Sequence, residues 1–123
     1  MPWELCSDRP IYAQLIELIE LKICAGIYPT GAKVPPVRDL AREAAVNPNT
    51  MQRALAKLED DGLLFSRRTA GRFVTEDETR VMEVKNRLVR DHTRDFLDKM
   101  RRLGFEEEEI LAAVSAIMEE KKK

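Results

Sequence analysis

The chain has 123 residues, 44% hydrophobic and 35% charged, which suits one small domain with long solvated helix faces. With 21 Lys+Arg against 22 Asp+Glu the net charge is −1, so there is no global basic field and any nucleic-acid site must be a local patch. Aromatic content of 6% argues against an aromatic-rich single-strand or sugar binder, and no apolar run approaches the roughly 18 residues of a membrane span.

The first ten residues, MPWELCSDRP, carry no apolar segment of the signal-peptide kind. Residues 10 to 25 then spell a helix, with Ile11, Tyr12, Leu15, Ile16, Ile19 and Ile23 at steps of three and four. Pro10 suits the first helical position, Ser7 or Asp8 the cap, and Gly26 the stop. Cys6 and Cys24 form no CxxC and read as reduced thiols, Cys24 as a small buried residue. After the turn Tyr28-Pro29-Thr30-Gly31, Ala32-Lys33-Val34 fits a very short strand.

A second helix is expected from Pro36 to Ala45, buried through Val37, Leu40, Ala41 and Ala44. Asn47 is the cap of a third helix and Pro48 its first residue. Met51, Ala54, Leu55 and Leu58 form its apolar face, and it ends at Gly62. Glu59-Asp60-Asp61 oppose the helix dipole and are expected to be solvated. Leu63-Leu64-Phe65 and Phe73-Val74 enclose a turn containing glycine and so predict a hairpin. The order helix, helix, tight turn, helix, hairpin is a winged helix-turn-helix, a mainly α fold with a small β-hairpin.

The polar stretch Thr75 to Thr79 is the expected boundary, giving a winged domain with its N-terminal arm over residues 1–78 and a tail over 79–123. The tail predicts two helices, about 80 to 103 with Thr79 as cap, and 107 to 119 after Gly104. Val81, Val84, Leu88, His92, Phe96, Met100 and Leu103 make the stripe of the first, widened by Val89, Thr93 and Leu97. Ile110, Leu111, Val114, Ile117 and Met118 line the second, with Phe105 and Ile110 placed as a hydrophobic staple if Glu106 is the cap. A helix of roughly 24 residues is about 36 Å long, longer than the winged domain it would cover, so the stripe calls for a second chain.

The chemistry concentrates in residues 33 to 72, where Lys33, Arg38, Arg42, Arg53, Lys57, Arg67, Arg68 and Arg72 outnumber five acidic residues. A helix entering the major groove presents its N-terminal residues to base edges. Here that tip is Asn47-Pro48-Asn49-Thr50, with Gln52 and Arg53 one turn on. Asn and Gln pair with adenine, Arg with guanine, and Thr touches the thymine methyl. In the hairpin, Gly71 leaves room for a minor groove, while Arg67, Arg68 and Arg72 would meet phosphates, as would Lys57. The partner implied is double-stranded DNA.

PIYAQL, GAKVPPVRDLA, VNPNTMQRAL and LEDDGLL, spread over residues 10 to 74, make this part of the chain resemble the DNA-binding domain of the GntR family of bacterial transcription regulators. The resemblance implies that Arg38 reads or grips DNA, that Asn49 and Thr50 form the recognition tip with Gln52 and Arg53 behind, and that Gly71 is the wing glycine. Pro36 stands where the family usually has Ser, and the wing reads Thr69-Ala70-Gly71-Arg72 where Gly-x-Gly-Thr is common. The tail is too short to enclose a metabolite pocket of roughly 300 Å³ or more. It resembles that of the YtrA-like subfamily, which implies a homodimeric repressor, often of transporter operons.

The expected function is therefore sequence-specific regulation of transcription at a near-palindromic operator, in the bacterial cytoplasm and on the nucleoid when bound. No effector is specified. The alternative is a winged-helix interaction module that leaves DNA alone. One His and two distant Cys give no recognised zinc site, so His92 is read as an interface or core residue and no metal or cofactor is expected. The absence of GxSxG, P-loop and GxGxxG patterns argues against an enzyme.

Overall fold

The computed structural model describes residues 3–122. Its elements are α1 (Ile11–Cys24), α2 (Val37–Ala44), α3 (Pro48–Asp60), β1 (Leu64–Arg67), β2 (Gly71–Val74), α4 (Glu78–Arg102) and α5 (Glu107–Lys121). They fall into two compact units that divide between Lys85 and Asn86. The first therefore holds the three helices, the hairpin and the opening turns of α4.

In the first unit α3 packs against α1, α2 and β1. Its predicted stripe, Met51, Ala54, Leu55 and Leu58, is fully buried. Leu15, Ile19 and Ile23 of α1 and Leu40, Ala41 and Ala44 of α2 complete the helical core, and Leu63, Leu64 and Val74 add the hairpin side. Of the remaining predicted stripe residues, Ile11, Tyr12, Ile16 and Val37 are half-buried. The link between α2 and α3 is tight because Ala45 takes a left-handed conformation at φ 57°. The Val46 amide then bonds back to the Ala41 carbonyl at 3.0 Å.

β1 and β2 pair antiparallel, with Leu64 opposite Val74 and Arg67 opposite Gly71. The predicted short strand at Ala32-Lys33-Val34 forms as a single bridge, Lys33 to Phe73. The Val34 amide donates to the Arg72 carbonyl at 3.0 Å and the Val74 amide to the Ala32 carbonyl at 2.9 Å.

Two caps differ from expectation. Pro10 is the N-cap of α1 rather than its first residue, and no side chain caps the helix. The arm before it is held by the buried side chain of Gln14 instead. The Gln14 Oε1 accepts from the Cys6 amide at 2.7 Å, and its Nε2 donates to the carbonyls of Cys6 and Arg9, both at 2.8 Å. That amide satisfies three backbone groups at once, which displaces Ser7 and Asp8 from the capping role. α4 is capped by Asp77, not Thr79, because the Asp77 Oδ1 takes the amides of Thr79 at 3.0 Å and Arg80 at 3.2 Å. A carboxylate answers the positive helix end better than a hydroxyl does. Asn47 caps α3 as predicted, accepting from the Asn49 amide at 2.8 Å. Cys24 is half-buried rather than buried, and Cys6 is exposed.

The acidic end of α3 is not simply solvated. Glu59 accepts hydrogen bonds from the Ser66 hydroxyl at 2.6 Å and from Arg72 Nε, which tie both strands of the hairpin to the helix. Partial burial alone would raise the Glu59 carboxyl, but the Ser66 and Arg72 hydrogen bonds and the Arg72 charge hold it below the ordinary carboxylate value. Asp61 pairs with Lys57 at 3.5 Å, and its carbonyl accepts from Arg80 Nε at 2.8 Å.

In the second unit, Gly104 at φ +89° turns the chain between α4 and α5. Glu106 is the N-cap of α5, and its amide donates to the Glu109 carboxylate at 2.9 Å. Ile110 is buried, and it lines one cavity together with Phe105 and Leu97.

Gln14→Ala should cost about 1–3 kcal/mol of stability, since it leaves three backbone groups without a partner. Thermal unfolding measures the loss. Glu59→Gln should cost about 1–2 kcal/mol at neutral pH, the partly exposed ion pair being screened. Because the folded-state pKa is depressed, this stabilisation is complete above the ordinary carboxylate value and fades as pH falls through the folded-state value. The stability gap between wild type and Glu59→Gln should therefore close on acidification, as followed by denaturation at a series of pH values.

Candidate nucleic-acid interface

The burial that fixes α3 in the core leaves its other side and its N-terminal tip in water. Asn47, Pro48, Asn49, Gln52, Arg53 and Lys57 are exposed, and Thr50 is half-buried. The Asn49, Thr50 and Met51 amides are all bonded to Asn47, so the first turn offers an anion the positive end of the helix dipole rather than free amides. Asn47 has its carbonyl oxygen committed to the cap, so its NH₂ group is the part left for another partner. The Arg53 guanidinium lies 4.7 Å from the centre of the Tyr12 ring, which orients it along the outside of α1.

The hairpin stands beside this tip because Arg72 bridges the two. Its Nε bonds Glu59 and its Nη1 donates to Gln52 Oε1 at 3.3 Å. The Arg72 side chain is only 17% exposed, so its guanidinium faces α3 more than the solvent where phosphates would lie. Arg67 packs its guanidinium 5.5 Å from the Phe65 ring and 5.4 Å from Phe73, and reaches Glu76 at 3.9 Å. Those two rings stack with centroids 5.7 Å apart and stiffen the hairpin stem.

At the turn, Thr69 has φ 67° and Gly71 φ 109°, so the glycine occupies a backbone region closed to most side chains. A Cβ at Gly71 would also sit 3.0 Å from Lys33 Cε. Between this turn and the start of α2 lies a cavity of about 550 Å³, lined by Lys33, Pro36, Val37, Arg67 and Gly71 among others. Arg38 and Arg68 are exposed, and among the described residues neither has an ion-pair partner.

Three contributors fall outside the predicted set of contacts. Lys33 is exposed and borders the wing cavity. Glu59 and Ser66 hold the brace. Glu59 lies seven residues after Gln52, two helical turns along the same face of α3, and that spacing was a signal available in the sequence. Lys33 stands in the basic cluster of residues 33–72 without an assigned contact, and nothing local marks Ser66.

The tail residues divide by burial. Val84, Leu88 and Ile110 are buried within the chain, and Val81, Met100 and Val114 are half-buried. Phe96 at 38%, Ile117 at 53% and Leu103 at 72% exposure face water, and His92 is exposed, which removes it from any core of the single chain. Phe96, Met100, Ala113, Val114, Ile117 and Met118 line one apolar groove of the second unit. Among the described residues there is no cluster of three or more His, Cys, Asp or Glu that could hold a metal, and no helix long and apolar enough to cross a membrane.

Comparison with known proteins gives a consistent relationship. The family model described as bacterial regulatory proteins, gntR family, matches residues 11–74. The HTH-type transcriptional regulator YhcF of Bacillus subtilis is 34% identical over 113 residues, 92% of this chain and 93% of that protein. The HTH-type transcriptional repressor YtrA of the same organism is 30% identical over 105 residues, 85% of this chain and 81% of that protein. A GntR family transcriptional regulator from Listeria monocytogenes superimposes with a TM-score of 0.84 at 36% identity, covering 91% of this chain and 98% of that one. A helix-turn-helix whose tip is left open beside a braced wing, matched by a family model over more than half of the chain and by regulators over most of it, places this protein in the GntR family, in its YtrA-like subfamily, as a DNA-binding transcription regulator and not an enzyme.

Proposed function

We propose that the chain acts as a homodimeric repressor at a near-palindromic operator, with α3 of each copy in a major groove. The observation that carries this reading is the α3 tip, open to water and flanked by a wing that Arg72 and Glu59 brace against it. The residues up to 78 bind DNA. Asn49, Thr50, Gln52 and Arg53 face base edges. Arg38, Lys57, Arg67 and Arg68 supply positive charge along the backbone, and Gly71 lets the wing approach the minor groove. The Asn47 NH₂ is available to a phosphate or base. Arg72, predicted as a phosphate contact, contributes by holding the wing.

The tail from residue 79 onward dimerises. Phe96, Met100, Val114 and Ile117 form an apolar groove on α4 and α5, with His92 exposed on α4 and Leu103 exposed in the turn after it. Covering this apolar surface with a second copy removes it from water at about 25 cal/mol per Å². Val84, Leu88 and Ile110 are buried within the single chain. Repression is the role named for the Bacillus YtrA relative. It follows physically if an occupied operator excludes polymerase, which puts the protein on the nucleoid in the bacterial cytoplasm. A regulated transporter operon fits the same subfamily.

Arg38→Ala should preserve the fold, the side chain being exposed, and weaken operator binding by about 1–3 kcal/mol. Fluorescence anisotropy with a selected duplex measures it, and unchanged affinity removes Arg38 from the interface. Phe96→Asp combined with Ile117→Asp places two charges in the apolar groove. Light scattering should then report monomers. Operator affinity should fall about 100-fold while weak, salt-sensitive binding to any duplex remains, because two linked half-sites act at high effective concentration. A dimer that survives both changes would move the interface off the tail.

A further inference from the structure

The Arg72 brace has a consequence for sequence readout. Gln52 sits one turn inside the α3 tip, and its Oε1 accepts from Arg72 Nη1 at 3.3 Å. Arginine has donors and no acceptor, so the oxygen is the end of the Gln52 amide that turns toward it. Reversing the amide would set an NH₂ group against a guanidinium, donor facing donor. Arg72 cannot easily follow a different arrangement, because its Nε is bound to Glu59 and its side chain is 17% exposed. Glu59 is itself fixed from the other strand by the Ser66 hydroxyl at 2.6 Å.

We propose that Gln52 reads DNA as a donor only, and selects guanine, because Arg72 holds its carbonyl oxygen turned toward the wing. This rests on the α3 tip being the base-reading element. Unrestrained glutamine pairs with adenine by accepting from N6 and donating to N7, and that requires its oxygen. With the oxygen held, the outward NH₂ meets two acceptors on guanine, O6 and N7. On adenine it meets one acceptor and a repelling N6 amino group, and on cytosine only a donor. Thymine O4 offers a single acceptor and ranks second. Arg72 is thus a positioning residue for specificity, although it stands in the wing and touches no base.

The test selects duplexes from a randomised pool with the intact chain and its Gln52→Ala, Gln52→Lys and Arg72→Met variants. The position that loses its preference in Gln52→Ala is the one Gln52 reads. Wild type should prefer guanine there. Gln52→Lys, a donor-only side chain, should keep guanine at the same position. Arg72→Met frees the oxygen and should move the guanine-to-adenine ratio about tenfold toward adenine at that position. A purely structural role for Arg72 would lower affinity for all duplexes without moving the ratio, and that result overturns the proposal. So does adenine in wild type converting to guanine in Gln52→Lys, or the absence of any position that responds to Gln52→Ala. Should Arg72→Met not fold, the wild-type and Gln52→Lys pair decides alone. If wild type binds and selects no duplex at all, the DNA-reading assignment of α3 fails as well, and the two failures are thereby told apart.

Discussion

The first unit depends on α3 serving two environments along its length. Met51, Ala54, Leu55 and Leu58 are shielded by α1, α2 and β1, while Asn49, Gln52 and Arg53 on the other side stay in water. Burial of those four side chains, at about 1.5–3 kcal/mol for each large one, fixes the rotation of the helix about its axis. Rotation in turn decides which residues project outward. The cap at Asn47 and Pro48 fixes where the helix begins, so the outward residues also have a defined height.

The wing has less to hold it. A two-stranded hairpin is marginal on its own in water. Here it is anchored at the base by Leu64 and Val74, stacked at mid-height through Phe65 and Phe73, and tied to α3 by Ser66, Arg72 and Glu59. The segment before α2 adds backbone bonds through Ala32 and Val34. A glutamate near the end of a helix is unfavourable toward the dipole. The structure offsets that cost by giving the carboxylate a hydroxyl and a guanidinium from two different strands.

At the other end of α1, the arm is held by contacts of a different kind. Lys22 is 5% exposed and lies 4.1 Å from the centre of the Trp3 ring and 5.7 Å from that of Tyr28. Two aromatic faces thus surround a cation that burial would otherwise penalise. The Tyr28 hydroxyl is raised above its ordinary pKa by burial and by the charge of Glu43. Together with the Gln14 bonds, these contacts fasten the arm to α1.

The sequence by itself determined the element order, the buried stripes of α2 and α3, the Asn47 cap and the hairpin with its positive-φ glycine. Each depends on local spacing or on a residue's own backbone preference, which neighbours a few positions away suffice to express. It also marked the α3 tip as the candidate site, because the polar tip directly precedes an apolar stripe. What only the tertiary structure decided is who partners whom across the chain. Arg72 looked like a phosphate ligand because nothing local distinguishes it from Arg68, yet Glu59, thirteen residues earlier, captures it. Gln14 looked like one more helical polar residue, yet it holds the N-terminal arm. The α4 stripe read as one continuous surface, yet Val84 and Leu88 are buried while Phe96 and Leu103 are exposed. A helical period shows which residues share a face, but only the packed neighbours decide how much of that face water reaches.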